Sequence, residues 1–128
     1  MSSTLKQVRD EVAVALATAG VTVYPTIPAT PELPCVVVAF PNRIEFNRTA
    51  GGLAEFDMSL SIYVGMTDVD YAQEQLDGFV TGTMKGLLES HTTSVWRAMV
   101  VTSASNFRSE SFGEATALGA DLNLTLIA

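Results

Sequence analysis

The sequence predicts an α+β domain: one mostly antiparallel β-sheet with a long β-hairpin and two α-helices packed on one face. Apolar residues recur every three or four positions in two segments, which indicates amphipathic helices. In other segments they alternate with polar residues, which indicates half-buried strands. These segments follow in the order helix, strands, helix, strands. The 128 residues contain no internal repeat and no linker, so a single domain spanning residues 1–128 is expected.

The first element is an amphipathic helix predicted from Thr4 to Ala19. Its buried face consists of residues at helical spacing: Leu5, Val8, Val12, Ala15, Leu16 and Ala19. The hydroxyl of Ser2 or Ser3 can cap the first turn. Gly20 can adopt the left-handed backbone conformation that ends a helix.

Two strands are predicted after this helix. Val21–Tyr24 is short, and Cys35–Phe40 is a continuous apolar run that is typical of a buried strand. Four prolines lie between them, and proline cannot donate a ladder hydrogen bond. The connection is therefore expected to be extended rather than a central strand.

A β-hairpin is predicted around Ala50-Gly51-Gly52, with strands Arg43–Arg48 and Leu53–Val64. The second strand has one apolar face, made of Ala54, Phe56, Met58, Leu60, Ile62 and Val64. Ile44 and Phe46 join that face if Phe46 opposes Phe56, which requires an odd-numbered loop.

The alternative to an odd-numbered loop is a two-residue turn at Gly51-Gly52. That turn would pair Arg48 with Glu55, but it would put Phe46 opposite Asp57. An aromatic side chain would then share a face with a carboxylate, so the odd-numbered loop is favoured.

The strand Leu53–Val64 is longer than the usual five or six residues, so the hairpin is expected to project as an arm. A long exposed edge invites uncontrolled pairing unless an assembly covers it. The tip has no large side chain and suits close contact with another subunit, although a solvated loop is the alternative. The candidate interface residues are Arg43, Arg48, Gly51, Gly52 and Glu55.

The second helix is predicted over Val69–Ser90, capped by Asp68 or Asp70. Its buried stripe consists of Ala72, Leu76, Phe79 or Val80, Met84 and Leu87–Leu88. A glycine stripe (Gly78, Gly82 and Gly86) recurs every fourth residue. These glycines are either tolerated on the surface or form a close-packed face against the sheet or another subunit.

The C-terminal part of the chain is predicted to be strands. Ser94–Thr102 carries Trp96, a polar stretch follows, and Asn106–Phe112 is a further candidate strand. The final strand alternates strictly, with Leu118, Ala120, Leu122, Leu124 and Leu126 on one face.

Composition excludes some partners and favours others. The net charge is −7, which argues against binding to nucleic acid or to an anionic membrane surface. Hydrophobic residues make up 48% and charged residues only 16%, against about 25% charged in an average soluble domain. With so little charge to cover a small domain, part of the surface is expected to be buried against other subunits, unless its many Ser and Thr residues keep it solvated.

No catalytic or metal-binding pattern is present in the sequence, so an enzyme, a cofactor and a metal are not expected. One histidine, His91, and one cysteine, Cys35, cannot make a standard zinc site. His91 follows the second helix, where a cation suits the helix dipole. Cys35 lies within an apolar strand and is expected to pack in the core. The arginines, including Arg97 and Arg108, are dispersed and are predicted to lie on solvated strand faces.

The layout of the chain resembles the tail-terminator proteins of long-tailed bacteriophages, also called tail-completion or minor tail proteins. The resemblance covers nearly the whole chain: a helix ending in Ala19-Gly20, "VTVYPTIPATPELPCVVVAF", a hairpin, "LSIYVGMTDVDYAQEQLDGFVTGTMKGLL" and a closing alternating strand. It rests on element order and spacing, because the family has no catalytic motif whose residues could be transferred.

The resemblance implies a structural role in the virion. Tail terminators form a ring, commonly a hexamer, at the head-proximal end of the tail tube, stop its polymerisation and present a surface to the head-completion or connector protein. The implied partners are further copies of the chain, the tail-tube protein and the connector. The implied location is the virion tail, assembled in the host cytoplasm, with DNA passing through the ring without being gripped.

Two other functional classes stay open from the sequence. The chain could be a head-completion, neck or tail-tube-like protein of the same virion. It could instead be a small ligand-binding or enzymatic α+β domain whose site the sequence hides.

Overall fold

The computed structural model describes residues 4–24, 29, 31–38, 41–46, 52–113 and 115–128, and it confirms the α+β fold class. In chain order its elements are α1 (Leu5–Ala15), β1 (Thr22–Tyr24), β2 (Cys35–Val38), β3 (Arg43–Glu45), β4 (Glu55–Gly65), α2 (Val69–Asp77), a π-helical segment (Gly78–Thr83), α3 (Met84–Ser90), β5 (Ala98–Phe112) and β6 (Ala115–Ile127).

The sheet has six strands, and β4 is a central one. The strand order is β1-β2-β4-β6-β5, with β3 pairing to β4 beyond the end of β2. β1 pairs with β2 in parallel, and all other pairings are antiparallel. Leu60 of β4 lies between Val38 of β2 and Leu122 of β6, so these three strands form the middle of the sheet.

α1 begins one residue later and ends earlier than the sequence predicts. Thr4 is the N-cap: its hydroxyl accepts the Gln7 amide N–H, and the Gln7 side chain accepts the Thr4 N–H in return, which forms a capping box. The predicted caps Ser2 and Ser3 lie outside the described residues. The helix ends at Ala15, followed by a turn that reaches Gly20 with a positive φ of 78°, as expected for a helix stop.

The predicted second helix is present, and Asp68 caps it by accepting the amide N–H groups of Asp70 and Tyr71. It continues through the π-helical segment into α3 without leaving helical backbone angles. The Thr81 hydroxyl donates to the Asp77 carbonyl, which gives that carbonyl a side-chain partner where the turns widen. The buried stripe is as predicted: Ala72, Leu76, Val80, Met84 and Leu88.

The prediction that the strand Leu53–Val64 projects from the core is wrong, and the hairpin tip, residues 47–51, lies outside the described residues. β3 covers Arg43–Glu45, and β2 occupies the same edge of β4 from Leu60 onward, which limits β3 at its Arg43 end. β4 is paired along its whole length with β6, so it does not project from the core. The Phe46–Phe56 pairing is also wrong: Phe56 opposes Ile44, and Phe46 is 74% exposed. The pairing still agrees with the favoured odd-numbered loop, because Ile44 opposes Phe56 and the two side chains share one face.

The long hairpin of the fold is β5–β6 instead. β5 is one strand of 15 residues rather than two separate strands, and Trp96 lies buried just before it. Its register shifts twice, between Val101 and Ser103 and between Ser105 and Arg108. Each bulge interrupts the alternation along the strand, which explains why the sequence pattern indicates a break there.

The two faces of the sheet differ in chemistry. The helices cover the face that carries Phe56, Met58, Leu60, Ile62 and Val64 of β4 together with the alternating leucines of β6, as the alternation predicts. The opposite, helix-free face carries polar residues and a small second cluster of Cys35, Val37, Tyr63 and Ala117.

Candidate functional site

His91 and Cys35 occupy structural positions. His91 Nε2 lies 2.8 Å from Glu11 Oε2, and its ring packs 5.8 Å from the ring of Trp96, so it joins the end of α3 to α1. Cys35 is fully buried, and burial raises the pKa of its thiol to about 11. Across the described ranges, no group of three His, Cys, Asp or Glu side chains could hold a metal ion.

Of the five predicted interface residues, the structure describes Arg43, Gly52 and Glu55. Arg43 Nε lies 3.3 Å from Asp57 Oδ2, and its Nη2 lies 3.3 Å from Glu45 Oε1. Glu55 begins β4 and faces Glu45 across the ladder. Gly52 has a positive φ of 77°, and Arg48 and Gly51 lie outside the described residues. Because residues 47–51 lie outside the described residues, the prediction that these five residues form an interface stays a prediction.

A charged cluster centred on Arg108 lies on the helix-free face instead. Arg108 Nη2 donates to the Tyr63 hydroxyl at 2.6 Å, and Nη1 donates to Asp121 Oδ1 at 3.1 Å. Its Nε lies 3.5 Å from Glu110 Oε2. The prediction that Arg108 is a solvated surface residue is therefore wrong: its side chain is 24% exposed and connects three strands.

Burial and neighbouring groups shift the pKa values of Tyr63 and Asp121 in this cluster. Burial raises the pKa of the Tyr63 phenol, and the Glu110 carboxylate adds to that shift while Arg108 opposes it. Burial also acts to raise the pKa of Asp121, but hydrogen bonds from Asn106, Ser61 and Arg108 outweigh it and hold that pKa low. Arg108 donates to both Tyr63 and Asp121 and so connects β4, β5 and β6, whereas Glu110 Oε2 is buried and accepts no hydrogen bond from the described residues.

Gly119 makes this cluster possible. It lies on β6 between Tyr63 of β4 and Arg108 of β5, directly opposite both. With no side chain at Gly119, the Tyr63 ring can lie across β6, where its centroid comes 5.2 Å from the Arg108 guanidinium carbon. Tyr63 also meets Phe112 edge-on, with ring centroids 5.1 Å apart.

The rest of the helix-free face is linked by hydrogen bonds from strand to strand. Ser59 donates to Asn123 Oδ1 at 2.7 Å, and Asn123 Nδ2 donates to the hydroxyls of Ser103 and Ser105 at 3.1 and 2.9 Å. Short polar side chains that satisfy each other fix the register of β4, β6 and β5. This face therefore contributes specificity of pairing.

The outer edge of β5 is an open edge of the sheet. No strand pairs with it within the described part of the chain. Val100 and Phe107 are large apolar side chains on this strand, and both are more than half exposed. Phe107 borders a hollow of about 290 Å³ between β5 and the second helix, which Leu76, Val80 and Leu118 line with apolar surface and Asp77 and Thr81 border with polar groups.

A larger cleft lies at the opposite edge of the sheet. It has a volume of about 540 Å³ and lies between α1 and the strands β1 and β2. Its apolar lining comes from Ala13, Val23 and Val38. The cations Lys6 and Arg9 border it together with the carboxylate of Asp10.

The glycine stripe does not pack against the sheet. Gly78, Gly82 and Gly86 are all exposed, and a methyl group added at any of them would meet nothing within 4 Å. Of the two readings of the sequence, a close-packed face against the sheet is therefore wrong. Tolerated surface glycine and contact with another subunit both stay open.

The important residues that the sequence pattern missed are Tyr63, Arg108, Gly119 and Asp121. Each lies on the polar side of an alternating strand, where alternation alone indicates solvent exposure. The available signal was a glycine and a tyrosine within strictly alternating strands, but the strand register was needed to bring them together.

No helix in the described residues is long and apolar enough to cross a membrane. Compared with models of known protein families and with curated proteins, the sequence matches none of them.

Proposed function

We propose that this chain is a structural assembly subunit similar to the tail-terminator proteins. In this role it forms a ring that caps the tail tube, stops its polymerisation and provides the surface for head joining. The family part of the proposal rests on the resemblance in element order along the sequence. The assembly part rests on the two edges of the sheet.

The observation that supports assembly is that one subunit has two different open edges. β1 ends the sheet on one side and β5 ends it on the other, and neither has a further strand partner among the described residues. Contacts in a closed ring larger than a dimer join unlike surfaces of neighbouring copies. An open strand edge with exposed apolar side chains is a surface that proteins normally cover.

Electron microscopy of tails assembled with and without this chain tests the proposal. We expect a closed ring, of six copies, at the head-proximal end of each tail, and tubes of uniform length. Without the chain, tubes should grow to irregular lengths or fail to join heads. A strictly two-fold dimer in mature particles would refute ring formation.

A neck protein, a head-completion protein or a tail-tube relative would use contacts of the same kind. Antibody labelling of intact particles separates them, because a terminator label falls only at the junction of tail and head. Label along the whole tube would identify a tube protein, and label that stays with tail-free heads would identify a head-completion protein.

A ligand-binding domain is the second candidate, and the cleft beside α1 is the observation that favours it. Its volume of about 540 Å³ falls within the usual range for small-molecule sites, roughly 300–1,000 Å³. A monomer that is thermally stabilised by a component of a metabolite mixture would support this candidate. A ring on tails without such stabilisation would exclude it.

A further inference from the structure

We infer that neighbouring copies of this chain meet edge to edge, with the β5 side of one copy seated in the α1 cleft of the next. The β5 patch is defined by Asp77, Thr81, Phe107 and Leu118, and the α1 cleft by Lys6, Arg9, Ala13, Val23 and Val38. The inference rests on the proposed ring and names the two surfaces that would build it.

The positions of the two surfaces suit a ring. The α1 cleft adjoins β1 and β2 at one edge of the sheet, and the β5 patch lies at the other. Two unlike surfaces on opposite sides of a subunit generate a head-to-tail chain, which closes when the rotation between copies allows it.

Both surfaces offer apolar side chains to the interface. Phe107 lies in the second bulge of β5 and follows Asn106, whose φ of 57° is in the left-handed region. Bulges redirect side chains out of the regular alternation, and here the phenyl ring is left 60% exposed. Aromatic side chains are favoured anchors of protein interfaces, and the cleft offers Ala13, Val23 and Val38 to receive one.

The charges of the two surfaces are complementary. α2 contains the exposed carboxylates Asp70, Glu74 and Asp77 and no lysine or arginine, and Asp77 borders the hollow beside Phe107. Two cations and one carboxylate border the cleft: Lys6 Nζ lies 2.7 Å from Asp10 Oδ2, and Arg9 Nε donates to the Val38 carbonyl at 3.1 Å, so the cleft lining has one positive charge in excess. In a chain with a net charge of −7, this is a place where an acidic helix of a second copy meets net positive charge.

The same charges disfavour the symmetric alternative. If β5 paired with β5 of a second copy around a two-fold axis, the two β5 patches, each bordered by the Asp77 carboxylate, would approach each other. Like charges brought together across an interface are repulsive and act against that partner. The unlike pairing removes this repulsion and replaces it with attraction.

Cysteine cross-linking tests the pairing directly. A chain that carries both Lys6→Cys and Asp77→Cys should form a ladder of disulfide-linked oligomers under mild copper-catalysed air oxidation. Chains that carry only one of the two substitutions should give no disulfide-linked oligomers, because in this pairing residue 6 of one copy does not contact residue 6 of another, nor residue 77 another residue 77. Native Cys35 adds no background, since its thiol is fully buried.

A pair of aromatic substitutions provides an independent measurement. Phe107→Ser should weaken self-association by about tenfold or more, as expected for an interface anchor. Tyr71→Ser is the matched control, because Tyr71 is an aromatic residue of nearly equal exposure, 61% against 60%, that does not border the β5 patch. Equal losses for both variants, or no loss for Phe107→Ser, would contradict the inference.

The outcomes separate this inference from the proposed function. Glutaraldehyde, a general amine-reactive cross-linker, reports any ring on assembled tails, whatever its interface. If glutaraldehyde traps rings but the double-cysteine chain gives no ladder, the edge-to-edge pairing is wrong and the ring stands. The same conclusion follows if either single-cysteine chain forms disulfide-linked dimers as readily as the double-cysteine chain. If neither reagent traps an oligomer on tails, the proposed function fails and the inference with it.

Discussion

Replacing Gly119 by alanine perturbs the place on β6 where the side chains of Tyr63 from β4 and Arg108 from β5 meet. A methyl group at this position would lie 2.7 Å from Cδ1 and Cε1 of Tyr63 and 3.3 Å from the carbonyl oxygen of Ile62. The ring must therefore withdraw by about 0.7 Å, the difference between 2.7 Å and the 3.4 Å at which ordinary contact begins. Tyr63 has little room to move, because it is only 5% exposed and its hydroxyl is held by Arg108.

The size of the effect follows from opposing contributions. Alanine is favoured over glycine within a strand by roughly 0.5–1 kcal/mol, because glycine loses more backbone freedom on folding. Forcing an extra methyl group into a packed site costs about 1–3 kcal/mol. Weakening the hydrogen bond between Arg108 and Tyr63 adds a further cost, since hydrogen bonds to charged groups contribute about 1.5–3 kcal/mol. The steric cost wins, and we expect Gly119→Ala to lower the free energy of unfolding by about 1–3 kcal/mol.

Urea denaturation measures this change. With a urea dependence of about 1–3 kcal/mol per molar for a small domain, the midpoint should fall by roughly 1 M. Gly82→Ala is the matched control, because a methyl group there meets nothing within 4 Å on an exposed helical face. That variant should gain up to about 1 kcal/mol.

A double-mutant cycle decides whether Tyr63 is the cause. In a Tyr63→Ala background the clash with the ring is gone and only the 3.3 Å contact with the Ile62 carbonyl oxygen remains, so Gly119→Ala should cost much less than in the native chain. An equal loss in both backgrounds, or an unchanged midpoint for Gly119→Ala alone, would refute the argument that Gly119 is needed to seat the Tyr63 ring.

Three further predictions follow from the described contacts. Asp121→Asn should flatten the pH dependence of the unfolding free energy below about pH 4. The lowered pKa of Asp121 in the folded protein gives stability that is present above the unfolded pKa and is lost as pH falls through the folded pKa. An unchanged acid profile would count against this prediction. His91→Ala and Cys35→Ala should retain ring assembly, measured by electron microscopy, and lose only stability; a folded variant without assembly would show a functional role. Replacing the whole glycine stripe by alanine should raise the unfolding free energy of the monomer, and a simultaneous loss of rings would show that this helix face contacts another subunit.

The regular elements could be predicted from the sequence because each has its own period. The buried stripe of the second helix and the apolar faces of β4 and β6 lie where spacing predicts them. Asp68 caps the start of the second helix, and Gly20 adopts left-handed backbone after the turn that follows α1, because capping and left-handed backbone are local properties. Thr4 was missed as a cap since neighbouring hydroxyl residues compete for the same role.

What the sequence determined by itself was the α+β class, the two helices and the inward faces of β4 and β6, because these depend on periodicity within a few consecutive residues. Only the tertiary structure decided which strands pair. It placed β4 at the centre of the sheet, moved the long hairpin to β5–β6, and brought Tyr63, Gly119 and Arg108 into one row. The physical reason is that strand pairing joins residues far apart in the chain, and two bulges in β5 shift the register without leaving a regular signal in the alternation.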